Sequence, residues 1–367
     1  MRYCYTFAVF LFFSFFLSCG YGEQKQLRIF VVSSYHKEYL WSQDTHQGVC
    51  AGLLDFKFLE NRQQVDDFSK NDMVETPNLV IKKTWMNTKK KSKTEEINAT
   101  SVQTADEINA FKPDLIMLGD DNATNYMGNQ FIDSAIPIVF WGVDGTPMKY
   151  GLLDSIDHPG HNITGVYQPG YYTETLKYLM MLLPGLKTFA ILSDDSETGR
   201  AKAKAIVRRS EEGKLPLKLV ETVLTNSFQV WQAEALRLQG KVDAFFVVNH
   251  NTLKDDKGNS IDPLMAGAWY LSNIKKPEGT VENQFVEEGM LIAVDDSGYK
   301  QGYEAVRMAN MILHEKIDPA GMPSIAPERG PITINRQRAG MLGIDLARKD
   351  FIEKFIEKAM ALERFPQ

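Results

Sequence analysis

Residues 162–197 read NITGVYQPGYYTETLKYLMMLLPGLKTFAILSDDSE, and this stretch sets the fold class. Ile163 to Gln168 is a short run of strand formers that meets a turn at Pro169-Gly170. Leu176, Leu179, Met180 and Leu183 then recur three and four apart, which places them on one face of a helix. Pro184-Gly185 stops that helix, since proline has no amide hydrogen to continue it. Thr188 to Leu192 reads as a buried strand, closed by Ser193-Asp194-Asp195. Strand, helix, strand predicts one βαβ unit with parallel strands and a right-handed crossover. In an open α/β sheet, ligands sit beyond the carboxyl ends of the strands. Tyr167, Gln168, Ser193 and Asp194 therefore mark the expected site.

The same alternation extends in both directions. Leu27 to Val32 (LRIFVV) is a continuous apolar run, as a strand covered on both faces should be. Trp41 precedes a helix capped by Ser42, with Val49, Leu53 and Phe56 on its inner face. Residues 60–77 are polar without periodicity and read as an exposed insertion. Strands follow at Leu79 to Trp85, Asp114 to Gly119 and Ile136 to Trp141, with a helix over 94–111 and another after Asp120-Asp121-Asn122. Residues 144–162, rich in turn formers around Pro159-Gly160, read as the crossing into a second lobe. That lobe is expected to hold strands at 163–168, 187–192, 217–224 and 243–249. A strand at 289–294, a helix over 300–314 and an amphipathic helix over 347–364 complete the chain.

At 367 residues two domains are expected rather than one. A net charge of −6 argues against a nucleic-acid partner, which calls for a basic face. The run Lys89-Lys90-Lys91 with Lys93, followed by Glu95-Glu96, reads as solvated. Residues 1–22 read as a targeting segment: Arg2, then an apolar core from Phe7 to Leu17 too short to anchor in a bilayer, then small residues. Two processing routes are open. Leu17-Ser18-Cys19-Gly20 resembles a bacterial lipobox, which makes Cys19 a lipidated N-terminus; cleavage near Gly20 or Gly22 is the alternative. Cys50 is then alone and reads as a buried structural thiol on an apolar helix face. No histidine pair has zinc spacing, and no GxSxG, P-loop or GxGxxG occurs, so no metal, cofactor or catalytic residue is expected.

The pattern NITGV…ETL…LLPG…ILS resembles the substrate-binding proteins of ABC transporters, in the group of tryptophan/tyrosine-type components. Further matches lie at GKVDAFFVVNHNT (240–252), EEGMLIAVDDSGYKQGYEAVRMANMIL (287–313) and INRQRAGMLGIDL (334–346). The resemblance implies a type I periplasmic-binding-protein-like fold: α/β, two lobes of parallel sheet flanked by helices, with the cleft between them. It also implies that residues from about 290 to 325 return to the first lobe, 27–143. Residues 144–285 form the second lobe, and 326–367 a closing segment with the C-terminal helix.

Seven carboxylates fall at predicted strand ends: Asp120, Asp121, Asp144, Asp194, Asp195, Asp295 and Asp296. Aspartate is a good turn residue and helix cap, yet one facing the cleft would select a cationic ligand group, because a buried carboxylate is costly unless paired. Asp120 and Asp194, one per lobe, are the choices for that role. The full set of ligand candidates is Ser34, Tyr35, Trp41, Asp120, Asp121, Asn122, Trp141, Tyr167, Gln168, Asp194, Asn249 and Asp295. Trp141, closing an apolar strand, fits core packing equally well. The expected function is capture of a small solute, an amino acid or related amine and aromatic in one form, for an inner-membrane ABC permease by hinge closure. The rival is a periplasmic sensing module reporting to a membrane histidine kinase, which the 60–77 segment and the SYHKEYLW loop resemble. An extracytoplasmic location, with a lipid anchor as the sole membrane link, follows from either.

Overall fold

The computed structural model describes Met1 and residues 26–145, 147–346 and 360–362. Cys19 and the rest of residues 2–22 of the targeting segment lie outside them.

The first sheet forms from β1 (Leu27–Ser33), β2 (Met73–Glu75), β3 (Leu79–Trp85), β4 (Leu115–Gly119), β5 (Ile138–Asp144) and β6 (Ile163–Gln168) in the order β2-β3-β1-β4-β5-β6. All pairings are parallel except that of the edge strand β2 with β3. The alternation along β1 explains why both faces are covered. Ile29 and Val31 join one cluster, with α1 (Leu40–Asp55), while Phe30 and Val32 join another, with α3 (Thr94–Phe111) and α4 (Asp120–Phe131). The supposed insertion at 60–77 is α2 (Arg62–Asn71) followed by β2. Phe68 is fully buried there, and two apolar side chains on one face of a polar helix were too few to show a period.

The second sheet has the order β13-β12-β11-β10-β9-β7-β8. Its strands are β7 (Thr188–Ser193), β8 (Lys218–Leu224), β9 (Ala244–Asn249), β10 (Glu278–Thr280), β11 (Ile292–Val294), β12 (Ile332–Asn335) and β13 (Met360–Leu362). Around it stand α5 (Tyr172–Leu182), α6 (Glu197–Glu211), α7 (Phe228–Leu238), α8 (Pro263–Asn273), α9 (Asn283–Glu287) and α11 (Arg336–Met341). Strand β13 lies where the tail helix was expected; the rest of that segment lies outside the described residues.

The opening stretch is not a βαβ unit of one sheet. Strand β6 pairs with β5, register Ile138↔Ile163, at the edge of the first sheet, whereas β7 lies in the second. Gly170, at φ +69°, turns the chain, and α5 packs on β10 and β11. The crossing thus falls at 169–171 and not at 144–162. The chain returns through 295–297 into α10 (Gly298–Leu313), which packs on α1 and β5, and leaves again between Ile325, bridged to Val166, and β12. The expected 290–314 unit is therefore split: its helix joins the first lobe and its strand, β11, pairs with β10 and β12 in the second.

Helices α1 and α10 meet at backbone distance. A Cβ on Gly48 would stand 1.9 Å from the Tyr299 carbonyl oxygen, and one on Gly302 2.2 Å from that of Thr45. Both positions are therefore closed to any side chain.

Candidate functional site

The carboxyl ends of both sheets face one another, and aromatic residues from the loop after β1 fill the gap. Tyr35, Tyr39 and Trp41 are buried as one cluster, with the tyrosine rings edge-on at 5.1 Å. Each touches the second lobe. The Tyr35 hydroxyl lies 3.1 Å from Thr198 Oγ1, the Tyr39 hydroxyl donates to Asn251 Oδ1 at 3.2 Å, and the Trp41 amide donates to Gln284 Oε1 at 3.1 Å.

Beneath them runs a buried ionic bridge. Lys202 sits on the inward stripe of α6 with Gly199, Ala203 and Ile206. Its ammonium lies 3.0 Å from Asp144 Oδ1 at the end of β5, pairs with Glu282, and donates to Gln168 Oε1 at 3.3 Å. Burial alone would lower the Lys202 pKa; Asp144 and Glu282 outweigh it and hold the pKa well above the ordinary value. The pair Lys202–Asp144 joins the lobes. Lys89, from the loop after β3, contributes a second buried ammonium, 4.5 Å from the Tyr35 ring centre and 5.3 Å from that of Tyr39. Tyr35, Tyr39, Trp41, Lys89, Asp144, Gln168, Thr198, Lys202, Val248, Asn249, Glu282 and Phe285 enclose a cavity of about 10 Å³, room for one water.

Of the residues expected from sequence, Tyr35, Trp41, Gln168 and Asn249 line this cavity. Asp120 stands behind Trp41, whose indole N–H donates to its Oδ1 at 2.7 Å. Burial pushes the Asp120 carboxyl up to about 8, against the pull of that bond and of Lys89. Gly142 makes room for it: a Cβ there would lie 2.5 Å from Asp120 Oδ1. For Asp121, burial opposes ionisation, but Lys149 at 2.6 Å and the Tyr150 hydroxyl at 2.7 Å hold its pKa below the usual range. Ser34 braces the strand ends, donating to the Gly119 carbonyl at 2.6 Å and accepting from the Ala123 amide at 2.8 Å. Asn122 donates to Thr88 Oγ1 at 2.8 Å.

Four candidates turn elsewhere. Trp141 is fully buried in the core of the first lobe, its ring against Gly119. Tyr167 packs on the cluster beneath α3 and α4, because strand alternation sends it opposite to Gln168. Asp194 is buried in its own lobe and accepts from Ser196 Oγ at 2.7 Å and from the Thr252 amide at 2.9 Å. Asp295 pins a crossing segment, accepting from the amides of Asn283 and Ser297, both at 2.9 Å; burial raises its pKa to about 8.

Sequence reasoning missed Tyr39, Lys89, Thr198, Lys202 and Glu282. Only Lys202 carried a signal, a lysine in phase with the apolar face of its helix.

A family model described as ABC transporter substrate binding protein matches residues 78–352. The chain belongs to this family of substrate-binding proteins. A tyrosine-binding protein of Clostridioides difficile (strain R20291) is 25% identical over 218 residues, which are 59% of this chain and 60% of that protein. Among solved structures, an ABC domain from Streptococcus pneumonia in complex with L-Trp is 19% identical, with a TM-score of 0.66 over 88% of this chain and 96% of that one. A conserved domain protein from Vibrio cholerae is 18% identical, with a TM-score of 0.68 over 90% and 99%. These structures share the two-lobed fold of the family. Among the described residues no cluster of three or more His, Cys, Asp or Glu is placed to hold a metal ion, and no helix is long and apolar enough to cross a membrane.

Proposed function

We propose that this substrate-binding protein captures an amino acid or related small amine, aromatic in kind, outside the cytoplasm and presents it to an ABC permease. The observation that carries the reading is the double contact across the cleft. Tyr35 meets Thr198, and Lys202 meets Asp144, so polar groups of both lobes converge on one buried point. A solute that bonds to both sides favours the closed arrangement by its differential contacts, and hinge movement at the crossing segments delivers it. The aromatic rings of Tyr35, Tyr39 and Trp41 supply stacking surface, and the tyrosine-binding relative supports the ligand class. Cys19 carries a lipid anchor if the lipobox route is used; cleavage near Gly20 or Gly22 is the alternative.

A thermal-shift screen of the purified exported chain against amino acids, amines and purines tests this, with tyrosine, tryptophan and phenylalanine first. A ligand at about 100 times its Kd adds roughly 2.7 kcal/mol to folding stability. A rise of several degrees in Tm is the expected result. A flat response across the amino acids and amines overturns the reading.

A further inference from the structure

We propose that Lys89 is the receptor for a carboxylate on the solute, and that the solute's apolar body occupies a second, larger chamber between the lobes. This rests on the solute-capture reading and narrows its ligand class.

Of the two buried ammonium groups at the cleft, one is already matched by carboxylates of the protein. Lys202 serves Asp144 and Glu282. Glu288 lies 2.8 Å from His250 Nε2 and accepts from Asn251 at 3.1 Å and Gln284 at 2.8 Å. Asp194 is satisfied by donors of its own lobe. Lys89, only 4% exposed, makes no ion pair or hydrogen bond among the described residues, and its ammonium lies against the faces of Tyr35 and Tyr39. A desolvated cation–π contact returns less than burying an ammonium costs. Burial accordingly lowers the Lys89 pKa, with Asp194 the main charge opposing it. An anion supplied from outside closes this gap.

Lys89 also borders a cavity of about 490 Å³. Its apolar lining comes from both lobes: Tyr39 and Leu40 from the first, Ile261, Pro263 and Leu264 from the second. The volume falls within the roughly 300–1,000 Å³ of small-molecule sites, whereas the cleft beneath holds about 10 Å³. Tyr39 forms the wall between them, tethered through Asn251. A molecule with its carboxylate on Lys89 and its apolar part in this chamber touches both lobes, as closure requires. The ligand class is then a small aryl or alkyl carboxylate, aromatic amino acids included. A carboxylate-free amine is excluded, which reverses the choice of a cationic group drawn from Asp120 and Asp194.

The test uses calorimetric titration with three matched sets: tryptophan, tyrosine and phenylalanine, each with its decarboxylated amine and its deaminated acid. In the wild-type chain at least one acid is expected to bind, and its amine at least tenfold more weakly. Lys89→Met is expected to weaken the acids at least tenfold while leaving circular dichroism unchanged and Tm unchanged or higher. Leu264→Trp, at a position 40% exposed, fills the chamber with Lys89 intact and is expected to weaken the same acids at least tenfold. Amines binding as tightly as acids, or acids binding Lys89→Met as they bind wild type, overturns the Lys89 assignment while solute capture stands. Unchanged binding by Leu264→Trp overturns the chamber. No binding in any set overturns the aromatic solute reading together with the inference.

Discussion

The two cavities on either side of Tyr39 are built on opposite principles. The narrow cleft is full: Lys202 bridges Asp144 and Glu282 there, an ammonium already taken up by carboxylates of the protein. The wide chamber has a largely apolar wall, with Glu38, Asp262 and Glu288 also on its lining, and borders a lysine, Lys89, that forms no ion pair among the described residues. Two buried ammonium groups close to the same aromatic cluster thus differ in what balances them. A balanced charge is part of the scaffold; an unbalanced one is available to an incoming molecule.

The same substitution at both lysines is the sharpest way to break this comparison. Lys202→Met leaves two carboxylates facing each other without their cation, and breaking such a buried pair costs about 3 kcal/mol or more. Lys89→Met removes a buried charge that had no partner, so stability is expected to hold within about 0.5 kcal/mol or to rise. Urea unfolding of both variants at pH 7 reads the difference directly; equal losses would erase the distinction between the two cavities.

Asp194 supplies the next effect. Its carboxylate holds the Ser196 hydroxyl and the Thr252 amide, so Asp194→Ala orphans buried donors, at about 2 kcal/mol. Its ligand response is expected to match wild type. A lost response with unchanged stability would move Asp194 back into the site.

The smallest effect is pH-linked. With its pKa raised to about 8, folded Asp120 keeps a proton that the unfolded chain, at an ordinary carboxylate pKa, gives up. The stability it contributes is complete below about pH 4 and is lost as pH rises toward 8. Asp120→Asn has no such loss. Relative to the variant, wild type is expected to lose about 1.3 kcal/mol between pH 6 and 7. Parallel pH profiles of Tm would show that Asp120 is ionised throughout.

Much of the fold was legible because the strands are short apolar runs punctuated by turn residues, and periodicity reports that directly. Which sheet a strand joins was not legible. The run Ile163–Gln168 has the same local pattern whether it pairs with β5 or β7, and the decision lies in edges far away in sequence. The site was legible where residues end strands, as with Gln168 and Asn249. It was lost where alternation turned them away, as with Tyr167, or where strand and core position coincide, as with Trp141. Lys89 hid in a run of three lysines of which Lys90 and Lys91 are exposed. Glu282 follows a strand of three residues, Glu278–Thr280, too short to mark its own end.

The contact of α1 with α10 has a consequence for synthesis. Gly48 and Gly302 seat the two helices backbone against backbone, so the first lobe is completed by a segment that ends at Leu313. Residues that emerge early from the ribosome must wait for a partner some 250 positions later, as in the Tyr303–Asp55 hydrogen bond, whose ends are 248 apart. A domain of such long sequence separation folds slowly and late. The first lobe is therefore not complete until almost all of the chain exists, however early its strands emerge.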